Sequence, residues 1–79
     1  MYTVYVKVQD QSGKPHIFPV YEEIERESNA IRLSKRLIDE YEANDFVCED
    51  IDDVNPVICG NGRKTVLVGY CESDEVLLV

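Results

Sequence analysis

The chain is poor in the groups that carry out reactions. It has a single histidine, His16, and three cysteines, Cys48, Cys59 and Cys71, none in a Cys-x-x-Cys pair. Their spacings match no zinc pattern. A nucleophile needs a base that activates it, and no spacing or local signature links His16 to any of the three thiols. Beside a turn, His16 reads as a solvated strand residue. The odd cysteine count and the missing motif predict three reduced thiols, each a small buried or strand residue.

Glycine is missing where a loop site would need it. No glycine falls between Asp39 and Asp53, so the EF-hand pattern, with glycine at its sixth position, is excluded there. Gly60-Asn61-Gly62 lacks the Lys-Ser/Thr and the helix that should follow a phosphate loop, and reads as a hairpin turn. Paired carboxylates in acid–base roles need an enclosed site that separates their pKa values, whereas a run as dense as this one is solvated. The expectation is a non-enzyme with no cofactor and no metal.

Long apolar runs and a basic leading segment are missing as well. With reduced thiols, this predicts a cytoplasmic protein. Basic residues are few: eight Lys and Arg stand against sixteen Asp and Glu, a net charge of −8. Direct nucleic-acid binding needs cations that displace counterions, and an anionic membrane needs them too. Both are disfavoured, and a basic partner or plain solubility is favoured. There is no repeat, linker or low-complexity segment. The 79 residues form one domain, 1–79, near the lower limit for a self-supporting core. A deep pocket would remove much of that core, which favours a binding module over an enzyme.

Tyr2, Val4, Val6 and Val8 alternate with Thr3, Tyr5 and Lys7, a period-two strand in β-branched and aromatic residues. Ser12-Gly13 closes a hairpin into a second strand over 16–21. Pro15 and Pro19 cannot donate to a ladder, which puts that strand at a sheet edge. Ser28 is the expected N-cap of a helix. Ala30, Ser34, Leu37 and Tyr41 form its apolar stripe, widened by Ile31, Leu33 and Ile38, and its end falls near Ala43 or Asn44. Phe46, Val47 and Ile51 form a short strand or a link. Val57-Ile58-Cys59 and Thr65-Val66-Leu67-Val68 flank an Asn-Gly turn, the strongest hairpin signal in the chain. Gly69 suggests a bulge or bend. Val76 to Val79, apolar to the last residue, is expected as a final strand or a docked end. The fold class that follows is α+β: an antiparallel sheet of four to five strands, in the order ββαβββ, with one helix packed on one face.

The remaining feature breaks a local rule. Asp39, Glu40, Glu42, Asp45, Glu49, Asp50, Asp52 and Asp53 occur with no basic residue among them, and they begin in the last turns of the helix. The dipole's negative end disfavours anions there, by about 0.3–1 kcal/mol each. A rule broken without structural return points to function. The eight carboxylates are the candidate partner-binding site; the alternative is a solvated acidic face. The expected function is a small non-catalytic interaction domain. It would act as an inhibitor on the basic surface of a nucleic-acid-binding protein, in the manner of the tiny acidic proteins of phages and mobile elements. That comparison is one of size and charge. A structural subunit acting through homo-oligomerisation, with a homodimer formed at the edge near Val76 to Val79, is the alternative. A metal- or small-molecule-binding regulator is the weaker third.

Overall fold

The computed structural model describes residues 1–9, 11–49 and 55–76. Five strands and one long helix form an α+β fold. The elements run β1 (Tyr2–Gln9), β2 (Pro15–Ile24), α1 (Glu27–Ala43), β3 (Val47–Cys48), β4 (Val57–Gly60), β5 (Thr65–Glu72) and the one-turn α2 (Ser73–Val76). The strand order is β2-β1-β5-β4-β3, and every neighbouring pair is antiparallel.

The alternation in β1 sends Val4 and Val6 into the core on the same face as Val66 and Val68 of β5, in the register Val4↔Tyr70, Val6↔Val68 and Val8↔Val66. Val57 and Cys59 of β4 continue the same face. The helix covers it with Ala30, Ser34, Leu37 and Ile38, and with the partly buried Leu33 and Tyr41. Each fully buried aliphatic side chain here contributes about 1.5–3 kcal/mol. In β5, Val66 and Val68 therefore face inward and Leu67 outward.

As the prolines imply, β2 lies at the edge. Its register slips against β1 between Tyr2 and Val4 and again between Val4 and Tyr5. Glu23 there has φ 58°, a left-handed conformation typical of an irregular strand. The slips return the chain to phase, so that Ile24 is buried.

Several local expectations are corrected. Ser28 does not cap the helix. α1 starts at Glu27, with Arg26 in the extended cap position and no side-chain cap bond. β2 stays in the sheet as far as buried Ile24, and the helix begins as soon as the chain leaves it, so packing overrides capping preference. The β4–β5 turn is wider than two residues. Gly60 pairs with Thr65, and Asn61 accepts the Arg63 and Lys64 amides on its Oδ1 at 2.9 and 2.8 Å. Only Gly62 takes positive φ in that turn. Gly69 makes no bulge, since β5 keeps its register with β1 throughout.

The expected last strand is also absent where the chain is described. Val76 belongs to α2, and Leu77, Leu78 and Val79 lie outside the described residues. Ser73 turns the chain: its amide donates to the Met1 carbonyl at 3.0 Å, and its Oγ lies 2.9 Å from Thr3 Oγ1. This closes α2 over Thr3, which is buried on the outer sheet face. The rest of that face is partly open, and Ile58 is exposed.

The expectation of three reduced thiols is overturned. Cys48 and Cys59 form a disulfide, and Cys71 alone is free. The two face each other across β3 and β4. The Glu49 amide donates to the Ile58 carbonyl, so the cysteines occupy the neighbouring non-hydrogen-bonded position, where paired Cα atoms approach most closely. Their Cα atoms are 4.1 Å apart. The pairing depends on strand register, which no local sequence motif encodes.

Candidate functional site: two acidic surfaces and a groove

The chain reverses sharply at the end of α1. The Asn44 amide donates to Tyr41 O (2.9 Å), the Asp45 amide to Glu42 O (3.2 Å) and the Phe46 amide to Tyr41 O (3.1 Å). The Asn44 side chain donates from Nδ2 to Glu40 O at 2.8 Å. These bonds satisfy carbonyls that a helix end leaves open. The left-handed residue is Asp45, with φ 68°, and not Asn44. Asp tolerates that conformation better than most residues. The reversal places the Phe46 ring against Tyr41, edge to face, with centroids 4.9 Å apart.

Asp39, Glu40, Glu42, Asp45 and Glu49 are all exposed. Asp50, Asp52 and Asp53, also expected in the site, lie outside the described residues. The stretch has no cation along the sequence, but the fold brings one to it. Leu37, Glu40, Tyr41, Asn44 and Phe46 line a groove of about 370 Å³, and Lys64 of the β4–β5 turn lines it with them. Burial holds the Tyr41 hydroxyl above its ordinary pKa.

A second acidic surface was not evident from the sequence. The register sets Ile24, Tyr2 and Glu72 in a row across β2, β1 and β5. Glu22, Glu23, Glu25 and Glu27 therefore meet Glu72, Asp74 and Glu75 at one end of the sheet. All seven are exposed, and Arg26 is the one basic side chain in these two stretches. Their field reaches neighbouring groups. Burial first, then the Glu27 charge and Tyr2, raise the Tyr70 pKa; burial first, then Cys71 and Glu75, raise that of Tyr5. The two hairpin turns lie at the other end of the sheet and carry Lys14, Arg63 and Lys64. A signal for the second surface existed in two acidic runs far apart in the sequence, 22–27 and 72–75, but only the strand order joins them.

Other chemistry is sparse. Among the described residues, no group of three or more His, Cys, Asp or Glu is arranged to hold a metal ion. His16 is exposed and stacks on Phe18 at 6.5 Å. The Cys71 thiol is pushed up by burial and then by Glu75, which lowers its thiolate fraction and its reactivity. A second groove, about 240 Å³, lies on the outer sheet face among Lys7, Gln9, Ile58, Thr65 and Leu67. Among the described residues no helix is long and apolar enough to cross a membrane. Comparison with known proteins finds no matching family model, no matching curated protein and no matching solved structure.

Proposed function

We propose that this protein is a non-catalytic interaction domain that binds the basic surface of a nucleic-acid-binding protein and inhibits it by standing in for phosphates. The observation that supports this reading is the exposure of carboxylates over two surfaces: Asp39, Glu40 and Glu42 on α1, with Asp45 and Glu49 after it, and the seven at the far end of the sheet. Duplex phosphates are dense and regularly spaced, about one charge per 1.7 Å of axis. Carboxylates fixed on a helix and on strand ends offer a comparable array without the flexibility of a tail. Asp50, Asp52 and Asp53 remain in the proposed site.

The experiment is capture of the partner from the source cell, its identification, and then charge reversal of each surface separately. Asp39→Lys with Glu42→Lys tests the helix end; Glu25→Lys with Glu72→Lys tests the strand ends. Loss of binding in either pair supports the reading and locates the interface. Full binding in both removes it.

An assembly subunit is the second reading. Exposed Phe18 and Val20 on edge strand β2, with Val47 and Ile58 at the other side of the sheet, favour it. An apolar interface is insensitive to salt, whereas an acidic one weakens as salt screens it. A cytoplasmic location accompanies the inhibitor reading, while the Cys48–Cys59 bond weighs toward an oxidising compartment. Alkylation of thiols in the source cell before lysis decides between them.

A further inference from the structure

We infer that the groove at the end of α1 is an anchor for one arginine side chain of a basic partner, an inference that rests on the reading above. Two features of the groove favour a guanidinium. Glu40 lines it, with Asp39, Glu42 and Asp45 close by on the same helix end and turn. Tyr41 and Phe46 also line it; in their edge-to-face contact at 76° the edge of one ring covers one face of the other, and the remaining ring faces are not taken up by this pair. A planar guanidinium stacks on such a face while it pairs with a carboxylate through two parallel bonds. A lysine ammonium makes the ion pair but stays more strongly hydrated. Asn44 is held by its Nδ2 bond to Glu40 O, which leaves its Oδ1 as an acceptor for a further N–H.

Lys64 opposes this charge. Among the described residues, Glu40 is the one carboxylate in the lining and Lys64 the one cation, so a guanidinium added there is balanced by Asp39, Glu42 and Asp45 of the same helix end and turn. The groove, about 370 Å³, has room for one such side chain.

The test is a titration of the full protein, followed by amide chemical shifts, with three blocked tripeptides: Ala-Arg-Ala, Ala-Lys-Ala and Ala-citrulline-Ala. The arginine peptide should move the Tyr41, Asn44 and Phe46 amides saturably and bind about tenfold tighter than the lysine peptide. Citrulline, which keeps the shape and loses the charge, should not bind. Glu40→Gln should weaken binding about tenfold, while Glu42→Gln, which removes the same charge outside the groove, should change it by about twofold. Lys64→Ala should tighten binding more than Arg63→Ala does. Lack of any saturable shift, equal affinity for arginine and lysine, or equal effects of Glu40→Gln and Glu42→Gln would overturn the assignment. Such results leave the acidic-surface reading intact, because that is tested separately by the two charge-reversed pairs against the captured partner.

Discussion

The Asn55 side chain pairs with the Tyr70 backbone as though it were another strand. Its Nδ2 donates to Tyr70 O at 2.9 Å, and its Oδ1 accepts the Tyr70 amide at 3.0 Å. This extends the β4–β5 ladder past the Val57↔Val68 pair. It also explains Gly69. A Cβ there would lie 2.6 Å from Asn55 Oδ1 and 2.9 Å from Pro56 Cβ. Gly69→Ala should cost about 1–3 kcal/mol by overpacking. Asn55→Ala should cost about 1–2 kcal/mol from two lost bonds. Part of the Gly69→Ala clash is with Asn55 itself, so denaturant unfolding of the double variant should show less than the sum. Strict additivity would mean that the two residues do not interact.

Thiol counting tests the Cys48–Cys59 pair. Denatured but unreduced protein should give one reactive thiol per chain, Cys71, and three after reduction. Reduction should lower stability by up to about 3 kcal/mol, the chain-entropy value for a loop of this size. Three thiols before reduction would remove the bond and restore the expectation from sequence.

Alkali should destabilise the fold. Burial is the first cause that holds Tyr5, Tyr41 and Tyr70 above 10.0 and Cys71 above 9.0. The unfolded chain therefore releases these protons first as pH rises. The folded state binds more protons in that window, so stability falls as pH climbs through the unfolded values. Thermal unfolding should show Tm dropping from about pH 9 upward, less steeply in Tyr5→Phe. An identical slope in wild type and Tyr5→Phe would mean that this hydroxyl contributes nothing.

Much of the fold could be read from local pattern, and the misses share one cause. The period-two run of β1, the apolar stripe of α1 and the edge prolines of β2 are local signals, and each stands where the pattern put it. The Cys48–Cys59 bond, the placing of Lys64 in one groove with Glu40 and the meeting of residues 22–27 with residues 72–75 all need the strand order and register. These are set by contacts distant in sequence, and no periodicity encodes them. The failed Ser28 cap is a case where tertiary packing overrode a local preference. In the candidate site, the exposure of Asp39, Glu40, Glu42, Asp45 and Glu49 was legible from the density of charge. The groove beside them was not, because Phe46 reaches Tyr41 only through the left-handed turn at Asp45.

The most direct test of the account is the association rate constant for the captured partner as a function of ionic strength. It should be measured for wild type and for the variant carrying Asp39→Lys, Glu42→Lys, Glu25→Lys and Glu72→Lys. Electrostatic steering acts mainly on association and fades within the Debye length, about 10 Å at 0.1 M salt. Wild-type association should slow steeply with added salt. The variant should associate at least about tenfold more slowly at low salt, with a much flatter salt dependence. Equal rates and equal salt slopes for the two proteins would contradict it.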